Sequence, residues 1–555
     1  MIAVASVDPA AASRSFSEAQ RPTRRLPVAL VLLMCVIALA RNYAIVREFD
    51  WPGFDIEFRE MAAAQTLLDE GFGPDSSYQG ERIWYNPLPA GVAAIGSRVT
   101  GVPLHKFIVR VGPWLNLLAP LALFWLVAVL FDAWCGVAAT AAFLFMTGTN
   151  LPFYYSATYS PWFAPENFGQ APFYVALLPL SRSFNAPSSG WRDAGIGALL
   201  GVIFLCHTAP ALLIGGILLV LTAVEVLDRR AIKPAALRLG RVLGVALLVS
   251  APFLLQIIGV YHLRVVNTLP SASPSGILDP NEFPVLAAKL MRLPVIAAAL
   301  YAIRLAVRRD RAAVLLLAWI GLAGSFIGYR YISAAAQHVG LTLPSIVPAY
   351  HFLFYSMAWV SIAFGCFICE AAAWLARVRG WHREAVIMAA VLGLVAVHVP
   401  SYLQRDDFTV IRAQARQTAG RLSVAGYEWV RAYATSDDVF LCTDGASLFL
   451  VAPAGGRVVA TDQYFSNPFV DWRTRDRDRA AMFHALRTHD FALFDQLAAG
   501  YHVRFIVAPG SRLDSLDGQD SDLEFRFVPS ELPSDRFRKA FQAEDLTIFE
   551  VRRPS

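Results

Sequence analysis

The sequence predicts a polytopic α-helical membrane protein with about eleven transmembrane helices and a C-terminal extracytoplasmic α/β domain. Of its 555 residues, 56% are hydrophobic and only 16% are charged, whereas ordinary soluble proteins have about 25% charged residues. The apolar residues collect into uninterrupted runs of about 17–25 residues, the length that crosses a bilayer as a helix. From Gln404 onward the composition becomes polar, and short β-rich runs alternate with helical ones, which is typical of a small α/β domain.

Eleven apolar runs are assigned as membrane spans. The first, from about Leu26 to Val46, is too long for a signal-peptide core and lacks a small-residue cleavage site, so we expect it to remain as a span. The others lie at about 111–131, 135–153, 168–181, 194–208, 210–227, 242–260, 286–306, 312–329, 346–375 and 384–401. The separation of two spans near His207 is the least defined, because 194–227 is also compatible with one long kinked helix.

The distribution of arginine supports this count. Cytoplasmic loops are enriched in Lys and Arg, and an inside N-terminus places four basic loops on the inner side. These loops are 182–193, 228–241, 307–311 and 376–383. Merging the doubtful pair would break the pattern, so eleven spans and an outside C-terminal domain are favoured. The predicted units are a disordered cytoplasmic tail (1–25), a membrane domain (26–403) and a soluble domain (404–555).

Several functional classes are disfavoured. The sequence has no long Lys/Arg block of the kind that binds nucleic acid. The C-terminal domain has no glycine-rich phosphate loop, so we expect no nucleotide site there. Cys366 and Cys369 have CxxC spacing, but they lie within an apolar run without a second pair, which favours packing over metal binding or a disulfide framework.

The C-terminal domain is predicted to alternate helices and short strands. Its predicted elements are a helix over 419–434, a strand over 439–442, a strand over 457–460, a helix over 476–499, a strand over 503–507 and a hairpin over 539–551.

The first outer loop, 47–110, carries the most conspicuous acidic residue. Asp55 follows the first span by a few residues, which keeps its carboxylate close to the membrane face. A partly desolvated carboxylate is a good general base. The residues alone leave the alternative that Asp55 and its acidic neighbours only solvate a loop.

Other ionisable residues lie at predicted outer ends of spans. Glu166 is an isolated acid next to Pro165, suited to acceptor or metal binding or to an interaction with a helix N-terminus. His207, at membrane depth, is a functional candidate or a neutral imidazole bonded to a neighbouring helix. Arg330 suits a lipid phosphate or a headgroup. His338 and His351 are further candidates.

Three features together resemble the GT-C superfamily of integral membrane glycosyltransferases, and bacterial mannosyl- and arabinosyltransferase-like members most of all. They are the segment 54–57 (Phe-Asp-Ile-Glu), a helix ending at Gly71, and Tyr85-Asn86-Pro87, which departs from the family's Tyr-Pro-Pro at its second position. The C-terminal segments 456–459, 501–507 and 546–551 are similar to the soluble domain of some members.

The resemblance implies an inverting glycosyltransferase of the bacterial inner membrane, which transfers a sugar from a polyprenyl-phosphate donor to a cell-envelope glycan or lipid acceptor on the outer face. Asp55 matches the family's base, and Glu57 would be its partner or a metal ligand. Where relatives often have an arginine near the start of a late span, this chain has His351. The donor- and acceptor-binding candidates are Glu57, Tyr85, Glu166, His207, Arg330, His338 and His351.

A divalent cation, Mg²⁺ or Mn²⁺, would bind between Asp55 and Glu166 if the fold brings these carboxylates together. Two alternatives to an enzyme remain open. One is a non-catalytic polyprenyl-lipid binding protein or flippase. The other is a transporter with Glu166, His207 and Arg330 along a polar pathway. Because the candidates lie at outer ends rather than deep within several spans, chemistry at the membrane surface is favoured.

Overall fold

The structure is a computed structural model. It describes residues 25–146, 159–183, 189–229, 232–267, 292–308, 310–341, 343, 347–349, 351–404, 406–508, 532–543 and 546–552. The predicted disordered tail, 1–25, lies outside these residues except for Arg25, which begins the first helix.

Each apolar run predicted to span the membrane contains a helix or two successive helices. In chain order, the helices before the sheet are α1 (Arg25–Val46), α2 (Asp55–Asp69), α3 (Leu88–Thr100), α4 (Leu104–Asn116), α5 (Leu118–Leu130), α6 (Ala133–Phe145), α7 (Pro165–Phe168), α8 (Gln170–Ser183), α9 (Gly190–Cys206), α10 (Thr208–Arg229), α11 (Ile232–Leu254, continued by the π-helical turn Leu255–Val260), α12 (Leu293–Arg308), α13 (Arg311–His338), α14 (His351–Arg379), α15 (Arg383–Leu403), α16 (Asp406–Arg421) and α17 (Val424–Tyr433).

Seven helical segments of the described chain are long and apolar enough to cross a membrane. They are Arg25–Val46, Leu104–Leu130, Thr208–Asp228, Ile232–Val260, Arg311–Ser333, His351–Arg379 and Arg383–Arg421. The other four predicted spans correspond to α6, α8, α9 and α12, which have 13, 14, 17 and 16 residues. A helix that crosses the hydrocarbon core needs about 20 residues. The predicted spans 135–153 and 286–306 extend into residues outside the described ranges.

The doubtful pair of spans near His207 is two helices. α9 ends at Cys206, His207 is extended (φ −167°, ψ 139°), and α10 begins at Thr208 and packs against α9. Pro210 lies in the first turn of α10, where its missing N–H leaves no helical hydrogen bond unmade. One long kinked helix is therefore not formed.

Two predicted helix boundaries differ from the structure. The span predicted over 111–131 begins earlier, at Leu104, and the basic residues of its first turns lie near Asp50. Lys106 Nζ lies 3.1 Å and Arg110 Nη2 3.3 Å from the Asp50 carboxylate. The span predicted over 312–329 continues to His338, so Arg330 lies within α13 and does not follow it.

The helix of the first outer loop, α2, begins at Asp55. Asp55 and Glu57 occupy its first turn, where negative charge interacts favourably with the helix dipole. An alanine-rich middle favours the helix. Just beyond its end, Gly71 has a φ of +81°, a left-handed conformation that glycine adopts without strain.

The C-terminal part of the chain forms a five-stranded sheet. Its strands are β1 (Val439–Leu441), β2 (Arg457–Val458), β3 (Val503–Val507), β4 (Phe537–Ala543) and β5 (Leu546–Val551), and its helices are α18 (Asp444–Ala454), α19 (Trp472–Thr488) and α20 (Phe491–Tyr501). The spatial order is β2-β1-β3-β5-β4. β1 pairs in parallel with β2 and β3, whereas β5 pairs antiparallel with β3 and β4. The predicted class, a polytopic helical membrane protein with a C-terminal α/β domain, is confirmed.

Two helices predicted as continuous in this domain are each divided. The helix predicted over 419–434 is interrupted because Ser423 caps a new helix by accepting a hydrogen bond from the Gly426 N–H. The helix predicted over 476–499 is interrupted at His489, which has a φ of +58°, and Asp490 caps α20. Short polar side chains favour such caps because they satisfy the free N–H groups of a first helical turn.

The two faces of the sheet pack against different partners. One face carries Leu441 and Ile506, and it packs on α19 and α20. The other carries Phe440 and Phe505, and its core includes residues of α2, α3, α17 and α18. Successive strand residues point to opposite faces, which explains the alternation. Helices of the first outer loop therefore form part of the hydrophobic core of the C-terminal domain.

Polar contacts reinforce this shared core. Arg457 pairs with Glu70, and Arg431 Nη1 lies 2.5 Å from the Asp69 carboxylate, both at the end of α2. Further along the loop, Asn467 Nδ2 donates to Asp75 at 2.9 Å. The Arg457 side chain is only 2% exposed, whereas Glu70 is 23% exposed.

We expect Arg457→Leu to lower the free energy of unfolding by about 2 kcal/mol, because Glu70 would lose a charged hydrogen-bond partner at the joint with the sheet. Thermal unfolding of the purified protein measures this effect. Arg473→Leu is the control, because Arg473 is exposed on α19. Equal melting temperatures for the two variants would contradict the role of the Arg457–Glu70 pair.

Candidate functional site

A pocket lies between α2, the loop 83–87 and the C-terminal domain. Arg59 and Glu60 of α2 line one side, Trp84 and Tyr85 another, and Phe465 of the C-terminal domain closes it. The Arg59 guanidinium carbon lies 3.7 Å from the centroid of the Tyr85 ring. Arg59 also donates to Glu60 Oε1 from Nε at 3.2 Å and from Nη2 at 2.8 Å. The pocket thus has a cation held between an aromatic ring and a carboxylate.

The Arg59–Glu60 pair is removed from water. The Arg59 side chain is 12% exposed and that of Glu60 only 2%. Burial lowers the pKa of Arg59, but the neighbouring Tyr85, Glu60 and Glu166 raise it above its usual value. Burial raises the pKa of Glu60, although Arg59 acts in the opposite direction. Arg59 is therefore a permanent buried cation.

Glu166, His207 and His351 form a second cluster. One ligand atom from each lies within 4.8 Å of those of the other two, and all three residues are buried. His351 Nε2 lies 3.2 Å from Glu166 Oε1. The two imidazole rings have centroids 4.7 Å apart. Burial would raise the pKa of Glu166, but the hydrogen bond and charge of His351 lower it to about 2, so this carboxylate is ionised.

Each member of the cluster comes from the end of a different helix. Glu166 lies in the first turn of the short α7, His207 joins α9 to α10, and His351 begins α14. Gly169, after α7, lies beside His207, and a Cβ there would be in ordinary van der Waals contact with the His207 Cβ at 3.6 Å.

Asn86 connects this cluster with the pocket. Its Nδ2 donates to the Phe204 carbonyl of α9 at 2.5 Å, and its Oδ1 accepts from Thr208 Oγ1 at 3.2 Å. Asn86 thereby anchors the loop that carries Tyr85 at the joint where His207 lies. The Tyr85 and His207 rings have centroids 6.5 Å apart. The position that departs from the family's Tyr-Pro-Pro element thus has a structural role in this chain.

Asp55 is at the edge of this polar region. It is the first residue of α2, it is partly buried, and its Oδ1 accepts a hydrogen bond from the Ile56 N–H at 2.8 Å. Residues four apart on a helix lie on the same side, so Asp55 shares a helix face with Arg59. Among the described residues, the group with metal-ligand spacing is Glu166, His207 and His351, and it does not include Asp55. The cation site predicted between Asp55 and Glu166 is therefore not the group with metal-ligand spacing that the fold assembles.

Glu57 joins two outer segments. It is fully buried, with Oε2 accepting from the Gly53 N–H at 2.9 Å and Oε1 accepting from the Phe163 N–H at 3.0 Å. Both carboxylate oxygens are thus bound to backbone groups, and Glu57 lies outside the group with metal-ligand spacing.

Among the described residues, His338 is not part of the cluster. His338 is the exposed last residue of α13. For Arg330 the structure describes the helical backbone position within α13, and the side chain lies outside the description.

Arg59, Glu60 and Phe465 line the pocket but were not predicted as site residues from the sequence. A signal for Arg59 exists, because it lies one helical turn after Asp55 in a segment predicted to be partly helical. Phe465 has no comparable signal in the sequence. Its place in the pocket depends on the packing of the C-terminal domain.

Comparisons with known proteins give information on the fold of this chain. No protein-family model matches the sequence, and no curated protein matches it. Among solved structures, the chain is similar to ArnT from Cupriavidus metallidurans in the apo state, with 12% identity and a TM-score of 0.56 over 94% of this chain and 98% of that one. The chain has the GT-C fold. The fold expected from the resemblance to this superfamily is thereby confirmed.

Two further solved structures superpose less closely on this chain. ArnT from the same organism bound to undecaprenyl phosphate has 14% identity and a TM-score of 0.47, over 94% of this chain and 97% of that one. The Archaeoglobus fulgidus oligosaccharyltransferase in the apo form has 12% identity and a TM-score of 0.49, over 87% of this chain and 69% of that one.

The buried Glu57 predicts a pH dependence of stability. Burial raises its pKa to about 7, although the N–H groups of Gly53 and Phe163 act in the opposite direction. The unfolded chain releases this proton near the ordinary pKa of 4.5. The native state therefore binds more protons between these values, and the free energy of unfolding falls as the pH rises from about 4.5 to about 7.

In Glu57→Gln this contribution, on the order of 3 kcal/mol over the window, is absent, and we expect a shallower decline. Melting temperatures between pH 4.5 and pH 7.5 measure it. Glu428→Gln, at an exposed position of α17, should keep the wild-type slope. A wild-type slope in Glu57→Gln would contradict the assignment.

Proposed function

We propose that this protein is an inverting glycosyltransferase that transfers a sugar from a polyprenyl-phosphate donor to a cell-envelope glycan or lipid acceptor on the outer face of the bacterial inner membrane. The observation that carries the proposal is the continuous buried polar region where helix ends of the bundle meet the C-terminal sheet. It contains two carboxylates, a guanidinium and two imidazoles within one GT-C fold.

In the proposed reaction, Asp55 is the general base. A sugar hydroxyl is a poor nucleophile until a base removes its proton. Asp55 takes that proton as the hydroxyl oxygen attacks the anomeric carbon from the side opposite the phosphate. The bond from the anomeric carbon to the phosphate oxygen breaks with inversion, and the polyprenyl phosphate leaves with the electron pair.

Arg59 is proposed to stabilise the leaving phosphate. Its Nε and Nη2 are held by Glu60, whereas Nη1 takes no part in that pair. A guanidinium fixed by packing needs little rearrangement when negative charge develops beside it, which is how preorganised sites lower a barrier. Glu60 and Tyr85 would thus act by orienting Arg59. A divalent cation held by Glu166, His207 and His351 would supply further positive charge at the phosphate.

The alternatives of a flippase or transporter are less well supported. Transport predicts ionisable groups deep within several spans of the bundle. A second buried charged group of the described helices consists of Arg238, Glu225 and Asp193 near the predicted inner ends, and it is paired. Arg238 Nη1 lies 2.6 Å from Glu225 Oε2, and Arg238 Nε lies 3.8 Å from Asp193 Oδ1. Such a group is suited to holding helices together.

Asp55→Asn should reduce sugar transfer by about 10²–10⁴-fold, because the amide cannot accept the hydroxyl proton. The purified protein is reconstituted into membranes. The assay then measures the transfer of labelled mannose or arabinose from polyprenyl phosphate to envelope acceptors. Asp50→Asn is the control, because Asp50 lies in the same loop with a side chain 54% exposed. Full activity in Asp55→Asn, with donor binding retained, would exclude Asp55 as the base.

The proposed site requires the C-terminal domain on the outer side of the membrane. Alkaline phosphatase, which is active only outside the cytoplasm, should be active when fused after residue 552 and inactive when fused within the loop 228–241. The reverse result would place the site on the cytoplasmic side and contradict the proposed orientation.

A further inference from the structure

We propose that Cys135, Cys366 and Cys369 form a reversible disulfide site, in which Cys135 of α6 is linked to one of the two thiols of α14. The site lies away from the polar region described above, because Cys369 is two helical turns before the predicted inner loop 376–383. The proposal concerns a covalent modification and does not rest on the transferase activity.

Three thiols meet where the first turn of α6 packs against α14. Cys135 is 6% exposed, Cys366 is fully buried and Cys369 is 2% exposed. None of the three is in a disulfide, and the Cys135 thiol lies within hydrogen-bonding reach of those of Cys366 and Cys369. The fold therefore adds a third thiol, from another helix, to the pair with CxxC spacing.

The packing of α6 against α14 explains why these thiols meet. A Cβ added at Gly365 would lie 2.4 Å from the Ala139 nitrogen, so this glycine allows the two backbones to touch. Cys369 lies four residues after Gly365, and Cys135 lies four residues before Ala139. Residues four apart share a helix face, and the two contacts run in opposite directions along the chain. The helices are thus antiparallel and in close contact at the level of the thiols.

Helix geometry selects the bond between helices over a bond within the CxxC pair. Cβ atoms three residues apart on a helix are about 5–6 Å apart, whereas a disulfide needs about 3.5–4.5 Å between them. Cys366 and Cys369 both lie within the continuous helix α14, so linking them would require this helix to unwind. A bond from Cys135 to either of them leaves both helices intact.

The end of the cluster at Cys135 is next to water. Asp132 caps α6 by accepting a hydrogen bond from the Cys135 N–H at 2.9 Å. Arg383 Nη2 lies 3.3 Å from the Asp132 carboxylate, and the two side chains are 57% and 42% exposed. A small neutral oxidant such as hydrogen peroxide therefore has a short path from the water around this ion pair to the Cys135 thiol.

The proposed reaction is a two-electron oxidation by a hydroperoxide. The Cys135 thiolate attacks one peroxide oxygen, the O–O bond breaks, and the leaving hydroxide takes up the proton that the thiol released. The product is a sulfenic acid. A thiol of α14 then attacks the Cys135 sulfur, the S–O bond breaks, and water leaves as the disulfide forms. Two thiols lose two electrons, and one hydrogen peroxide becomes two waters.

The predicted inner location makes the bond reversible. Cytoplasmic thiols are kept reduced, and disulfides that do form there are usually transient or redox-sensing. A dithiol reductant restores the thiols by exchange through a mixed disulfide.

The experiment treats the purified full-length chain with hydrogen peroxide, unfolds it in detergent, alkylates the free thiols and counts them by intact mass. The chain has six cysteines, so we expect free thiols to fall from six to four and to return to six with dithiothreitol. Peptide mapping should show Cys135 linked to Cys366 or Cys369. Cys135→Ser should keep all of its thiols, whereas Cys366→Ser and Cys369→Ser should each still lose two, because the other partner remains.

Cys442→Ser is the matched control, because Cys442 is a buried cysteine of the C-terminal domain, and it should lose two thiols as the wild type does. If Cys135→Ser fails to fold, the peptide map of the wild type still decides. Three results would overturn the proposal: no loss of thiols under peroxide, a loss unchanged in Cys135→Ser, or a disulfide that does not contain Cys135. The first of these results is the one expected if the three thiols only pack together.

Discussion

The structure depends on the burial of α2 between the membrane bundle and the C-terminal sheet. Phe58 and Met61 are fully buried in the core of the sheet domain, and the Phe58 ring meets that of Phe449 edge to face at 4.9 Å. On the same helix, Glu57 is bonded to the backbone of Phe163, next to the segment that leads to α7. Because one rigid helix contacts both neighbours, Arg59 is fixed with respect to the helix ends that carry the imidazoles.

The polar region combines strong charges with exclusion of water. Its arginine and carboxylates are paired, and in a low-dielectric environment such pairs interact more strongly than in water. The same burial makes any unpaired member expensive, so a bound substrate or ion has to replace the existing contacts group by group. This requirement favours ligands with several charged oxygens, because they can satisfy a guanidinium and neighbouring donors at the same time.

The fold class followed from composition and apolar periodicity, since both report burial in lipid directly. The two helices joined at His207 followed from arginine placement in the loops. The division of a predicted helix at His489 was not foreseen, because a histidine in the left-handed conformation has no marked signal in the sequence. A glycine such as Gly71, in contrast, does indicate the end of a helix.

Glu166, His207 and His351 were recognised singly as ionisable residues at span ends. Their proximity depends on helix packing across about 185 residues of sequence, and periodicity contains no information on it. The hydrogen bond from the Phe163 N–H to Glu57 was equally beyond sequence reasoning, because it joins segments 106 residues apart.

The shared core of α2 and the sheet bears on how such proteins are recombined. The composition changes at Gln404, which suggests a natural point to exchange the C-terminal domain between related chains. An exchange there would separate Phe58 and Met61 from the sheet residues that cover them, and it would leave a mismatched hydrophobic surface at the outer end of the bundle. A compatible chimera has to transfer the segment 55–100 together with residues 404–555, as one unit that is discontinuous in sequence.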